Sequence, residues 1–138
     1  MSYVFASIYF HFVWRTKDSL PLITSELEGE LFKVIGAKCK ELGCVVFALN
    51  GTEDHVHLVV SLPPTLAPSE FVKHVKGSSS RWVNHSHFKG ETPFGWQEGY
   101  GVLTFHKSLL PRIVAYVRNQ KEHHRSGRLD VTLERTEG

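Results

Sequence analysis

The order in which strand and helix patterns follow one another constrains the fold of this chain more than any other feature. Aromatic and β-branched residues dominate 3–14, which predicts a central strand. A helical apolar stripe follows over 25–43, beginning at a capping serine and ending at a glycine. Two apolar runs, 44–49 and 55–62, flank Asn50-Gly51, a pair typical of tight turns between antiparallel strands. The first half of the chain is therefore predicted to be β-α-β-β, with the last two strands forming a hairpin.

The second half of the chain supplies another helix, another strand and one further helix. Helical patterns cover 69–84 and 108–124, and the apolar run 100–105 between them predicts a fourth strand. Pro111 falls in the first turn of the last helix, where proline is tolerated. The order β-α-β-β-α-β predicts an α+β fold of the ferredoxin-like (split βαβ) kind. Such a fold has a four-stranded antiparallel sheet with helices on one face, here followed by a C-terminal helix.

Length and composition indicate one globular domain. The chain has 138 residues, enough for one buried core and too few for two ordinary domains, so we assign 1–138 to a single domain. The charged residues after Ser126 predict a loosely ordered tail over about 126–138. No apolar run approaches the ~20 residues of a membrane span, and the first residues lack the pattern of a signal peptide. We therefore expect a cytoplasmic protein without a membrane partner.

Two histidines on the predicted third strand are the first candidates for chemistry. His55 and His57 are two residues apart, so a strand presents both on one face, opposite the apolar side chains between them. Two imidazoles can bind a divalent cation together with an oxygen ligand, and Asp54 could accept a hydrogen bond from a ring nitrogen. Because H-x-H is short and common, the pair alone leaves a metal site and a structural role both open.

Two further histidine pairs provide a comparison within the chain. His85 and His87 are predicted to lie in a polar loop, where no strand would fix both rings on one face. We interpret them as exposed or as contributing to substrate contact. His123 and His124 are predicted to lie at a helix C-terminus, where partial positive charge is favourable without any other role.

Tyr116 and Gln120 are the second pair of candidates. Their i, i+4 spacing places them on the same face of the predicted last helix. A tyrosine in such a position is usually a half-buried core residue. The neighbouring glutamine and cations favour a tyrosine that contacts phosphate.

Basic residues on the last two predicted helices are candidates for contacts with DNA phosphates, although any single one is more often a solvated helix residue. They are Lys73, Lys76, Arg81, Arg112, Arg118 and Lys121. The formal net charge of +2 is too small to indicate nucleic-acid binding by itself.

Four segments together resemble one protein family. They are Asp54–Val60, which contains the H-x-H pair, the helix Lys73–Trp82, Trp96–Gly101 and Tyr116–His124. In this order and at these separations they are similar to the single-tyrosine HUH transposases. These are small insertion-sequence transposases that move DNA as a single strand, together with relatives associated with repetitive extragenic palindromes. The resemblance covers roughly residues 3–125.

The resemblance implies a role for each candidate residue. It makes His55, His57 and Gln120 the ligands of a divalent metal, Mg²⁺ or Mn²⁺, and Tyr116 the catalytic nucleophile on the C-terminal helix. The implied substrate is single-stranded DNA with a hairpin near the element end, which is cleaved and rejoined through a 5′-phosphotyrosine intermediate. The implied assembly is a homodimer with composite active sites.

Other functions compete with this interpretation. One is a domesticated host protein that binds or nicks hairpin DNA without transposition. Another is a small zinc hydrolase with His55, His57 and Asp54 as ligands and no role for the tyrosine. A replication initiator or relaxase would share the histidine pair, but those proteins are usually larger.

Overall fold

The computed structural model describes residues 4–87 and 93–137. The elements in this part of the chain are β1 (Tyr9–Arg15), α1 (Ser25–Glu41), β2 (Val45–Gly51), β3 (His55–Ser61), α2 (Pro68–Ser86), β4 (Gly101–Phe105), α3 (Leu110–Arg118), α4 (Gln120–Ser126) and α5 (Val131–Glu134). Short 3₁₀ turns lie at Lys17–Ser19 and Lys107–Leu109.

The four strands form one sheet in the order β2-β3-β1-β4, and every neighbouring pair is antiparallel. This arrangement confirms the predicted ferredoxin-like fold. The predicted hairpin of β2 and β3 is confirmed, but the predicted turn position was wrong. Asn50 and Gly51 are the last residues of β2 and pair with His57 and Val56, so the turn lies at 52–54. Among the described residues, no helix is both long and apolar enough to cross a membrane.

The two faces of the sheet carry different cores. On one face, Trp14 and Leu58 of the sheet belong to a large cluster with Phe71 of α2 and Leu31 of α1. On the other face, Val59 packs against Val117 of α3 and other apolar side chains in a smaller cluster. Because side chains alternate along a strand, His55 and His57 lie on the same face as Val59. The histidines therefore lie under the C-terminal helices rather than under α1 and α2.

The predicted boundaries of β1 and α2 differ from those in the structure. The first strand begins at Tyr9, not at Tyr3, and Tyr3 itself lies outside the described residues. The second helix continues through Ser86, so His85 lies on an exposed helical turn and His87 caps the helix end. The predicted loop around this second H-x-H pair is therefore helical up to its cap.

The predicted last helix is interrupted. It ends at Arg118, and α4 starts afresh at Gln120 after a non-helical Asn119 (φ −101°, ψ 23°). Asn119 bonds its side-chain Nδ2 to the carbonyl of Ala115 at 2.9 Å, a local bond that competes with regular helix geometry. Asn50 of β2 donates Nδ2 to the Arg118 carbonyl at 2.9 Å, which occupies an acceptor of the last turn of α3. Tyr116 and Gln120 thus lie on two helices, not on one face of a single helix.

The prediction of a loosely ordered tail was wrong for the segment that follows α4. Gly127, in the left-handed region (φ 75°), ends α4 and allows the chain to turn back. Asp130 caps α5 by accepting hydrogen bonds from the amides of Thr132 and Leu133, and Leu133 is buried. Residues 127–137, called the strap below, therefore fold back over the sheet face that carries the histidines.

Candidate active site

The two histidines of β3 form the floor of the site. His55 and His57 are 1% and 0% exposed, and their ring centroids lie 5.1 Å apart at a steep angle. Such complete burial of two imidazoles requires a partner for each ring nitrogen. These partners determine which nitrogen of each ring remains for a ligand.

The outer nitrogen of His55 is held by the residue that the sequence indicated. Nδ1 of His55 donates to Oδ1 of Asp54 at 2.7 Å and lies 2.9 Å from the Thr52 hydroxyl. Burial tends to raise the pKa of Asp54, but the hydrogen bond from His55 outweighs it, and the net effect is a lowered pKa. The carboxylate therefore stays ionised and remains an acceptor. Because Asp54 binds Nδ1, Nε2 faces the site. This geometry gives no support to a zinc hydrolase in which Asp54 is itself a ligand beside Nε2.

The outer nitrogen of His57 is held by a residue that sequence reasoning missed. Nε2 of His11, on the neighbouring strand β1, lies 2.8 Å from Nδ1 of His57. Burial, together with the charge of His57, lowers the pKa of His11 to about 3, so that ring is neutral. A neutral His11 can accept a hydrogen bond from Nδ1 of His57, which leaves Nε2 of His57 facing the site.

The C-terminal helices bring two more potential metal-ligand side chains to the histidines of β3. Gln120, the predicted third ligand, is fully buried, and its Oε1 lies 3.4 Å from Nε2 of His55. The same amide oxygen lies 3.0 Å from Nε2 of His124. His124, which the sequence placed at a helix end without a specific role, has its ring 4.5 Å from the ring of His55.

Glu134 of the strap lies at the centre of the site. Its Oε1 is 3.0 Å from Nε2 of His57, 3.2 Å from Nε2 of His124 and 3.4 Å from Nε2 of His55. Burial opposes ionisation, but hydrogen bonds from His55 and His57 hold the pKa of Glu134 well below its usual range. Ligand atoms of these four residues all lie within 4.8 Å of one another, a spacing that can hold a metal ion.

Tyr116 reaches the same carboxylate from the other side. Its hydroxyl donates to Oε2 of Glu134 at 2.5 Å and accepts a hydrogen bond from the Asp130 amide at 2.9 Å. Its ring stacks on His123 at 4.4 Å and lies 6.1 Å from the ring of His57. Burial, and then the hydrogen bond to Glu134, raise the pKa of Tyr116 to about 12. The hydroxyl is therefore adjacent to the histidines but protonated.

The helix interruption does not separate the predicted tyrosine and glutamine. Nε2 of Gln120 lies 3.3 Å from Oε2 of Glu134, the same oxygen that Tyr116 contacts. Glu134 thus connects residues of β3, α3 and α4. Sequence reasoning missed it because it lies in a charged segment with no apolar periodicity.

The expected DNA-binding residues differ in their exposure and in their hydrogen-bond partners. Lys73 and Arg81 of α2 and Arg112 and Arg118 of α3 are exposed. Lys121 is exposed as well, but its Nζ donates to Glu28 at 2.5 Å and to Asn50 at 2.7 Å.

Lys76 has a different environment from its neighbours. Its Nζ donates to the backbone carbonyls of Gln97 at 2.8 Å and Gly99 at 2.7 Å. Burial lowers its pKa to about 8. The ammonium group that we expected to contact DNA instead holds the segment before β4 against α2.

We expect Lys76→Met to lower the free energy of unfolding by about 1–2 kcal/mol, because two carbonyls lose a charged donor in a half-exposed setting. Lys73→Met is the matched control on the same helix, where an exposed lysine should contribute within about 0.5 kcal/mol. Urea unfolding of both variants measures the difference. Equal stability of the two variants would contradict the structural role of Lys76.

Comparison with protein families gives a match over most of the chain. The family model described as "Transposase IS200 like" matches residues 4–120. The ISDra2 transposase TnpA of Deinococcus radiodurans is 27% identical over 117 residues, which cover 82% of this chain and 84% of that protein. The transposase for insertion sequence element IS200 of Salmonella typhimurium is 24% identical over 122 residues, 86% of this chain and 80% of that protein.

Two solved structures share the fold. A Deinococcus radiodurans protein assigned as a transposase superposes with a TM-score of 0.67 at 26% identity, covering 87% of this chain and 96% of that one. A REP-associated tyrosine transposase bound to a REP hairpin gives a TM-score of 0.63 at 15% identity, covering 94% and 76%. At that identity, the second structure bears on the fold alone.

Proposed function

The chain belongs to the IS200-like transposase family, and we propose that it cleaves and rejoins single-stranded DNA at hairpin-marked element ends through a 5′-phosphotyrosine intermediate. One observation carries this proposal. Tyr116 and the buried His57 contact the two oxygens of one carboxylate, at 2.5 Å and 3.0 Å. A nucleophile and a set of metal-binding nitrogens therefore lie side by side, as a phosphodiester bound to both would require.

The donor atoms fit a divalent cation. His55 and His57 direct Nε2 into the site, and Gln120 of α4 contributes an amide oxygen 3.4 Å from Nε2 of His55. Imidazole and amide oxygen donors suit Mn²⁺, and Mg²⁺ would take further oxygens from water and phosphate. When bound, such an ion supplies positive charge that polarises the scissile phosphate and stabilises the leaving oxygen.

The residues of the chain carry out the covalent step. In this proposal, the Tyr116 hydroxyl loses its proton and Oη forms a bond to phosphorus, while the bond from phosphorus to the 3′ oxygen breaks. The leaving 3′ oxygen takes up a proton, and the protein remains attached to the 5′ phosphate. The 3′-OH of another strand can then reverse the step, because the phosphotyrosine bond conserves the energy of the phosphodiester. Asp54 and His11 hold the two imidazoles in place throughout.

DNA binding is proposed for the exposed cations that border this site. Arg112 and Arg128 line an open groove beside Tyr116, and Arg118 and Lys121 are further exposed cations near the junction of α3 and α4. Lys73 and Arg81 of α2 are candidates for phosphate contacts farther away, and binding through such contacts weakens with salt. A DNA substrate fits the cytoplasmic location that we expected from the sequence.

We also propose a homodimer with composite sites, which the family resemblance implies. In the described chain, Tyr116 lies beside the histidines of its own chain. A composite site would require Tyr116 of α3 and Gln120 of α4 to leave Glu134 and to contact the histidines of a second copy. Light scattering of the DNA-free and DNA-bound protein measures the assembly.

One observation favours a second candidate function. The Tyr116 hydroxyl is hydrogen-bonded to Glu134 and to the Asp130 amide, which suits a domesticated protein that binds hairpin DNA without cleaving it. Such a protein would keep the fold and the basic surface but form no covalent product.

A covalent-adduct assay separates the two functions. Labelled single-stranded DNA with candidate hairpin ends is incubated with the protein and Mg²⁺ or Mn²⁺, and then separated on a denaturing gel. We expect a slowly migrating adduct that disappears when the metal is chelated. Tight hairpin binding with no adduct, across many sequences and both metals, would instead establish the binding protein.

A further inference from the structure

Resting on the proposed function, we propose that Glu134 is a metal ligand of this chain, so that the strap completes a metal site begun by β3 and α4. Glu134 lies beyond residues 4–120, the part of the chain that the family model matches. The proposal therefore concerns a ligand that the family core does not supply.

The spacing of the donor atoms is that of a coordination shell. Oε1 of Glu134 lies 3.0–3.4 Å from the Nε2 atoms of His57, His124 and His55. Ligands at about 2.1 Å from one ion are about 3.0 Å apart at right angles and about 3.4 Å apart in a tetrahedron. The donors thus need little movement to share an ion.

The chemistry of the donor set also favours a carboxylate. Three imidazoles and the Gln120 amide carry no negative charge, whereas hard divalent cations bind most readily to charged oxygen ligands. The Glu134 side chain is 11% exposed, and within the described residues it forms no ion pair with a lysine or arginine. A nearly buried carboxylate needs hydrogen bonds or a positive charge. The imidazoles supply hydrogen bonds, and a bound cation would supply a positive charge in their place.

The strap is held in position by contacts that do not depend on Glu134. Leu133 is buried, and Asp130 caps α5. The strap backbone also packs tightly on β4, since a Cβ added at Gly101 would meet the Arg135 carbonyl oxygen at 1.9 Å. Only glycine permits this approach. The chain is therefore built to bring this carboxylate to the histidines.

A consequence is that metal binding and strap order are coupled. An ion shared by His55, His57 and Glu134 joins the strap to β3, and Oε2 of Glu134 accepts the hydrogen bond of Tyr116 at 2.5 Å. One residue would then connect the metal site to the nucleophile.

The test is a calorimetric titration of the whole chain with Mn²⁺ in the absence of DNA, which measures the Mn²⁺ affinity. We expect Glu134→Gln to weaken Mn²⁺ affinity by about tenfold or more, and Glu137→Gln, an exposed residue of the same strap, to leave it unchanged. Unchanged affinity in Glu134→Gln would overturn the proposal. So would tighter binding, because the carboxylate would then be competing with the ion rather than coordinating it.

A second measurement covers the case in which the Glu134 variant folds poorly. Hydrogen exchange of the wild-type strap amides should slow when Mn²⁺ is added, and a strap unaffected by Mn²⁺ would overturn the proposal. Neither measurement uses DNA. A failure of the covalent-adduct assay with a normal Mn²⁺ response would therefore reject the proposed function alone, and the opposite pattern would reject only the role of Glu134.

Discussion

Tyr116→Phe is expected to lower the rate of DNA cleavage by about 10³-fold or more, because the substitution removes the only atom that would bond to phosphorus. Phenylalanine retains the ring that stacks on His123. The loss of two hydrogen bonds, to Glu134 and from the Asp130 amide, should cost about 1 kcal/mol of stability. Cleavage kinetics, Mn²⁺ affinity and hairpin affinity measured together show whether chemistry alone is lost.

The matched control for this substitution is Tyr9→Phe. Tyr9 lies on β1, where its ring packs on Phe47 and Phe105 away from the histidines. This variant should cleave at the wild-type rate. Cleavage by Tyr116→Phe at more than a few per cent of the wild-type rate would contradict the assigned nucleophile.

The second large effect is expected for His57→Ala. Removing this fully buried imidazole takes away one predicted ligand and leaves the His11 ring without its partner. We expect a loss of about 10²–10³-fold in metal-dependent cleavage together with weaker Mn²⁺ binding, since each ligand orients the others. Calorimetry with Mn²⁺ and the adduct assay measure the two losses separately.

The second H-x-H pair of the chain supplies the control. His85→Ala changes an exposed histidine of α2, so neither Mn²⁺ binding nor cleavage should change. A circular dichroism spectrum and a melting curve of His57→Ala show whether the variant remains folded. Normal Mn²⁺ affinity in a folded His57→Ala protein would remove this residue from the metal site.

The parts of the site that were predictable depend on strand periodicity. A period of two fixes the shared face of His55 and His57 once the strand is recognised. The turn before that strand was placed too early, because Asn50 and Gly51 still pair within the sheet. The contact of Asp54 with Nδ1 of His55 follows from its position beside the histidine. The β-α-β-β-α-β order was predictable because each of these strands and helices has a clear apolar pattern in the sequence.

The parts that were not predictable depend on pairing and on short elements. His11 reaches His57 only because β1 pairs with β3, with His11 opposite Val59. At the helix break after Arg118, the Arg118 carbonyl accepts a hydrogen bond from Asn50, 68 residues earlier in the chain. The four-residue helix α5 is too short to show a period, so Glu134 was indistinguishable from a solvated charge. Lys76 looked like Lys73 in sequence, and only the tertiary structure separates them.

The most direct test of the account is to identify the residue that carries the DNA. The covalent adduct is digested with protease and nuclease, and the modified peptide is sequenced by mass spectrometry. We expect a nucleotide joined through its 5′ phosphate to the hydroxyl of Tyr116. Attachment to any other residue, or through a 3′ phosphate, would contradict it.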